Sequence, residues 1–264
     1  MNEWPAQLVA LLNGLSPELV LAIDVVVCNL AVLFMLRLFG KHGLFAFIVV
    51  AILMANIQVL KVVKFGVYTD PVALGTVIFT ASYFATDCLT EFYGRAAAGR
   101  GIMLGFASYL LATVFTLIGM GYPPLTPEQA GEGFAWALPY HEHIVALFLP
   151  APAFLIAGMT SYLVSQFNDR WVFLLLRRIT HARQLWLRTT GSTAISALID
   201  NTVFSLLAFK VLAPVPVPWS ALIFTYILGT YLLRLALAFL ESPFMYLARR
   251  CLPPDDRPAY RATL

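Results

Sequence analysis

Residues 71–93 read PVALGTVIFTASYFATDCLTEFY, a run of 23 residues whose only charged members are Asp87 and Glu91. A helix rises about 1.5 Å per residue, so about 20 such residues cross roughly 30 Å of hydrocarbon. Inside lipid only helices and closed barrels satisfy their own backbone, and the run lacks the strict alternation of a barrel strand. It therefore reads as a transmembrane helix. Within it Thr76, Thr80, Tyr83, Asp87 and Glu91 follow at steps of 4, 3, 4 and 4, which lays a polar stripe along one face.

The rest of the chain repeats the pattern. Of its 264 residues 60% are hydrophobic and 12% charged, against roughly 25% charged in a soluble domain, and the mean hydropathy is +0.81. A soluble enzyme of ordinary make-up is excluded. Apolar runs at approximately 17–39, 43–66, 71–93, 102–122, 144–166, 190–211 and 219–240 predict an all-α membrane protein, a polytopic bundle of about seven transmembrane helices forming one domain over residues 1–264. Pro71 reads as a helix start, Pro123, Pro124 and Pro127 as one loop, and Pro214, Pro216 and Pro218 as another. Pro150 and Pro152 fall inside the fifth run and predict a kink or break there. Cys28, Cys88 and Cys251 are too scattered for a disulfide framework or a zinc site. The first run lacks a basic leader and is too long for a cleavable signal.

Lys and Arg in short connections set orientation. Residues 167–189 carry Arg170, Arg177, Arg178, Arg183 and Arg188, so this segment is expected to be a cytoplasmic loop. Arg37 and Lys41, Arg95 and Arg100, and Arg249 and Arg250 fall on the same side by counting. The connections at 122–143 and 212–218 hold no Lys or Arg, which puts them and the N-terminus outside and the C-terminus in the cytoplasm.

A charge in hydrocarbon is costly, so ionisable residues inside spans mark candidate sites. Asp24, Lys61, Asp87, Asp200 and Arg234 stand out. The sixth span carries Thr193, Ser196 and Asp200 at steps of 3 and 4, with Ser192 beside them, and the seventh carries Tyr226, Thr230 and Arg234 at steps of 4. By helical rise Asp87 and Arg234 lie about 10 Å from the cytoplasmic ends of their spans and Asp200 about 15 Å in, so Arg234 can reach either carboxylate. Three stripes that lipid would penalise are satisfied together by facing a shared cavity. Such a cavity would offer acceptors (Asp87, Glu91, Asp200), donors (Lys61, Arg234), amides (Asn56, Gln58) and aromatic faces (Tyr83, Phe84). That suits a flat heterocycle bonded at its edges and stacked on its faces. Against this, Ser and Thr in membrane helices commonly bond a carbonyl one turn back, an Asp–Arg pair can be purely structural, and Asp24 and Lys61 can reach the interface.

Enzyme motifs fail. His141–Glu142–His143 lacks the i, i+4 spacing of a zinc helix and reads as a solvated loop; no nucleophile elbow or phosphate-binding loop occurs; and Lys210, near an outer span end, is poorly placed for a retinal Schiff base. No enzyme activity and no cofactor are expected.

Several stretches resemble the queuosine precursor transporters, also grouped as vitamin uptake transporters: RLFGKHG (Arg37 to Gly43), ANIQVLK (Ala55 to Lys61), ATDCLTEFYG (Ala85 to Gly94), LWLRTTGSTAISALIDN (Leu185 to Asn201), TYILGTYLLR (Thr225 to Arg234) and ESPFMYLA (Glu241 to Ala248). The family's T-D-x-x-x-E-x-Y-G pattern is met by Asp87 and Glu91. Its frequent S-Q-L-I-D-T reads Ser196-Ala197-Leu198-Ile199-Asp200-Asn201 here, and a lysine frequent in its last span is Arg234. The resemblance implies a six-helix core with an extra N-terminal helix and import of 7-cyano-7-deazaguanine or 7-aminomethyl-7-deazaguanine across the bacterial cytoplasmic (inner) membrane for tRNA modification. It implies as partners that small molecule and the lipid bilayer, no direct nucleic acid, and leaves a homo-oligomer open. Substrate contacts are expected among Asn56, Gln58, Lys61, Tyr83, Asp87, Glu91, Ser192, Ser196, Asp200 and Arg234. Asp87 or Asp200 would accept the N–H edge of the base, Asn56 or Arg234 would donate to its carbonyl, and Tyr83 or Phe84 would stack. Glu91 or Asp200 could carry a coupling proton. A substrate-binding subunit of an ATP-driven importer is the competing expectation, and a carrier of another small heterocycle or an intramembrane enzyme the remaining ones.

Overall fold

Ser16 opens the first long helix: its side chain accepts the Leu19 N–H, and Pro17 occupies a first-turn position where a missing N–H costs nothing. The computed structural model describes residues 3–66, 72–148, 152–181, 183–213 and 215–256. In chain order these form α1 (Trp4–Asn13), α2 (Pro17–Gln58), β1 (Val62–Val63), β2 (Val72–Ala73), α3 (Thr76–Met120), α4 (Pro127–Ala130), α5 (Tyr140–Phe148), α6 (Pro152–Ile179), α7 (Leu185–Leu206), α8 (Trp219–Ala221) and α9 (Thr230–Cys251). Wide π-turns at Leu207–Val211 and Leu222–Gly229 extend α7 and lead into α9. Among the described residues four stretches are long and apolar enough to cross a membrane: Pro17–Gln58, Thr76–Met120, Leu185–Val211 and Trp219–Cys251.

At 42 and 45 residues, α2 and α3 would be about twice the hydrocarbon thickness if straight. Neither is straight. Gly40 (φ 56, ψ −136) and Gly94 (φ 82, ψ 173) adopt conformations that side chains with a Cβ avoid, and the chain reverses at each. A Cβ on Gly43 would strike the Met35 carbonyl, and one on Gly101 would come 2.8 Å from Leu89 Cδ1. Residues eight and twelve apart touch only in a hairpin. Gly101 and Gly105 then let the second half of α3 press onto the second half of α2, where their Cα atoms face Ile48 and Ile52.

Several boundaries differ from the apolar-run reading. The second run, expected to reach 66, ends its helix at Gln58, because residues 62–63 pair antiparallel with 72–73. The segments 37–43 and 94–101, expected as loops, shrink to the single-residue reversals. The expected basic loop 167–189 is helical to Ile179, so Arg170, Arg177 and Arg178 sit on α6. The 122–143 connection contains α4, a 3₁₀ turn at Ala135–Ala137 and the start of α5, which places His141–Glu142–His143 on a helix rather than in a loop. α1 lies ahead of every apolar run. Pro71, Pro150 and Pro214 lie outside the described residues, and Pro152 begins α6.

Two interiors result. An apolar one joins α2 to α3 through Val32, Leu36, Leu44, Ile48, Phe84 and Leu89. A polar one lies where the first half of α3 meets α6, α7 and α9. Lys61, with Glu18 bonded to the Gly66 N–H at 2.6 Å, marks one end of the bundle. The Gly40 and Gly94 reversals, bridged by Asp256 accepting from Tyr93 Oη at 2.6 Å, mark the other.

Candidate functional site

The polar interior follows from direction. The first half of α3 and α6 run parallel, α7 runs against them and α9 against α7, so residues spaced one turn apart on each helix meet in layers about 6 Å deep. Nearest the Gly94 end, Glu91 Oε1 accepts from Arg188 at 3.0 Å and from Arg249 at 3.4 Å, while Arg177 Nε lies 4.0 Å from Oε2. Arg188 is fully buried, with its guanidinium 5.6 Å from the Phe173 ring.

One turn inward, Asp87 of α3 and Asp169 of α6 are both at 0% exposure and share a layer, each lying four residues past a partner in the Tyr83–Ser165 bond. Ser192 and Ser196 of α7 stand beside Asp169, yet they donate to the Thr189 carbonyl at 3.2 Å and to Asn168 Oδ1 at 3.3 Å. No donor among the described residues makes a well-formed bond to any of the four carboxyl oxygens of Asp87 and Asp169.

A further turn in, Tyr83 Oη donates to Ser165 at 2.6 Å, Ser165 donates to Asp200 Oδ1 at 3.0 Å, and Gln166 donates to Ser82 at 3.1 Å. Arg234 Nη1 is shared between Asp200 Oδ2 and Asn201 Oδ1. Its guanidinium lies 5.1 Å from the Phe79 ring and 5.5 Å from the Tyr83 ring. Arg234 Nε and Nη2 are buried with no acceptor among the described residues. Asn201 then donates to Thr230 at 2.9 Å and the Ile227 carbonyl at 3.2 Å.

Of the residues singled out in the sequence, Tyr83, Asp87, Glu91, Ser192, Ser196, Asp200 and Arg234 therefore come together, and Arg234 pairs with Asp200 rather than Asp87. Asn56, Gln58 and Lys61 do not join them. Asn56 Nδ2 bonds its own helix at the Ile52 carbonyl, Gln58 is half-buried at the end of α2, and Lys61 is exposed. Phe84 packs in the apolar interior, and Asp24 accepts from Cys28 Sγ at 3.5 Å. Ser165, Gln166, Asp169 and Glu241, which were not among the candidates, are buried here, and Arg188, expected in the basic loop 167–189, lies buried on α7.

The chemistry of the arrangement is a split one. Asp87 and Asp169 present only acceptors, while Arg234 presents unmet donors within a turn or so of them. Buried polar atoms are otherwise almost always paired, so the set is suited to a ligand that donates N–H groups on one edge and accepts on another. Among the described residues no group of acidic, His and Cys side chains is arranged to hold a metal ion.

The model of a family described as "Putative vitamin uptake transporter" matches residues 73–248. A protein of Bacillus subtilis (strain 168) named "Probable queuosine precursor transporter" is 34% identical over 221 residues, covering 83% of this chain and 89% of that relative. No solved structure matches the chain.

Proposed function

We propose that this chain, which belongs to the vitamin uptake transporter family, imports a queuosine precursor, 7-cyano-7-deazaguanine or its 7-aminomethyl counterpart, across the bacterial cytoplasmic membrane. The observation that carries the reading is the pairing of unmet, buried acceptors on Asp87 with unmet, buried donors on Arg234. A deazaguanine is the complement of that pair: its N1–H and 2-amino group donate side by side, and its ring carbonyl accepts.

In this reading Asp87 takes the two N–H groups in a bidentate, charge-assisted contact, and Arg234 donates to the carbonyl. Asp200 is already occupied by Arg234 and Ser165, which favours Asp87 for the substrate edge. Tyr83 supplies an aromatic wall, with Ser192 and Ser196 on the facing helix. Glu91 with Arg188, Arg177 and Arg249 closes the site toward the cytoplasm; Asn56, Gln58 and Lys61 line the approach from outside. The protein carries out no catalysis and needs no cofactor. Counting the halves of α2 and α3 separately, together with α6, α7 and α9, makes seven spans, with the N-terminus outside and the C-terminus in the cytoplasm.

The test is rescue of a bacterium unable to make the precursor. Expression of the chain restores queuosine in tRNA at low external precursor. Asp87→Asn removes the charge from two hydrogen bonds, a loss of about 3 kcal/mol or ~100-fold in affinity, and abolishes rescue at that concentration. Full rescue by Asp87→Asn overturns its assigned role.

A further inference from the structure

A carboxylate only accepts hydrogen bonds; a protonated carboxyl also donates one. Asp87 and Asp169 stand one turn beyond the Tyr83–Ser165 and Ser82–Gln166 bonds on the parallel helices α3 and α6, which sets them in one layer at zero exposure, and no well-formed bond from another described residue satisfies their oxygens. Among the described residues no cation bonds either carboxyl. On α3 itself Cys88 is adjacent and Glu91, one turn away, is held by Arg188 and Arg249; α9 contributes the acidic Glu241; and Arg234, whose charge is felt at Asp169, is held by Asp200 and Asn201. Two bare negative charges in contact in such surroundings repel strongly, whereas one proton between them turns repulsion into a hydrogen bond.

Resting on the transport reading above, we propose that the Asp87–Asp169 pair carries a proton with each substrate molecule and so couples uptake to the inward proton gradient. From the outer side one proton binds the pair, leaving one negative charge across its four oxygens. The substrate's N1–H and 2-amino group then donate to the Asp87 carboxylate, which breaks the bond between the two carboxyls and leaves the proton on Asp169. When the site opens to the cytoplasm, water hydrates both groups. The substrate leaves Asp87, the Asp169 O–H bond breaks, and the proton passes to water. The emptied site returns with both carboxylates hydrated. No other co-reactant is consumed.

The experiment uses the purified full chain in liposomes with labelled 7-cyano-7-deazaguanine, reading binding, exchange at equal pH, and accumulation with proton movement under an imposed pH gradient. Wild type is expected to accumulate the compound when the outside is acidic, with one proton entering per molecule. Asp169→Asn keeps the shape and a permanently neutral partner for Asp87. Any substrate the variant still carries is expected to move with no accompanying proton and without accumulation. Wild type that exchanges the compound but ignores the pH gradient overturns this proposal alone. Wild type that neither binds nor exchanges it overturns the substrate reading, and this proposal with it. A folded Asp169→Asn that still accumulates the compound with one proton per molecule removes the proton from Asp169; where the variant loses exchange as well, or fails to fold, the proton count of the wild type decides.

Discussion

Arg234 and Asp200 face each other with side chains 5% and 9% exposed, and a buried ion pair is valued by what happens when one partner is lost. Removing either strands the other charge in the interior, a cost of about 3–5 kcal/mol. Arg234→Leu and Asp200→Leu are each expected to lower the unfolding temperature sharply in detergent. The double variant is expected to lose clearly less than the sum, which a double-mutant thermal cycle reads directly; additive losses would mean that the pair is not coupled. The same scale shows what the sequence made visible. Asp87, Asp200 and Arg234 were legible because lipid excludes such residues from apolar runs. Asp169 and Arg188 were not, because they lie just past the runs among arginines that read as orienting charges. A signal was present: Ser161, Ser165 and Asp169 recur at steps of four, and Glu241 lies seven residues beyond Arg234 on the same face. Helices that continue beyond the hydrocarbon and bury their ends in protein defeat a criterion built on hydropathy alone.

At the scale of elements the two glycine reversals decide the architecture. A Cβ on Gly94 would meet no atom within 4 Å, so any cost of substituting it comes from the backbone conformation and not from crowding. Gly94→Ala is expected to destabilise the protein by about 1–3 kcal/mol. Gly119→Ala, equally uncrowded but with an ordinary helical backbone, is expected to stay within about 0.5 kcal/mol of wild type. Chemical denaturation of both in detergent checks the contrast, and equal losses would refute the conformational account. The apolar runs on either side of each reversal were legible from composition. The absence of a loop between them was not, since Arg37 and Lys41, and Arg95 and Arg100, mark a bundle end whether or not a loop separates the helices.

For the whole molecule, the basic residues assigned to one side do gather at one end. Arg37, Lys41, Arg95, Arg100, Arg178, Arg183 and Arg250 are exposed near the reversals or the adjoining helix ends, while Arg188 has been drawn inside to Glu91. Orientation is testable in cells. In a background lacking Cys28, Cys88 and Cys251, Glu132→Cys is expected to react with a membrane-impermeant thiol reagent in intact cells, and Arg183→Cys only after permeabilisation. The opposite labelling would invert the topology and the direction assigned to the proton. The reversals carry one more consequence, for how the protein is made. Helices joined by a lone glycine have no slack with which one could wait outside the bilayer while the other settles. Each such pair must enter the membrane together as it leaves the ribosome, so insertion proceeds in hairpin units rather than helix by helix.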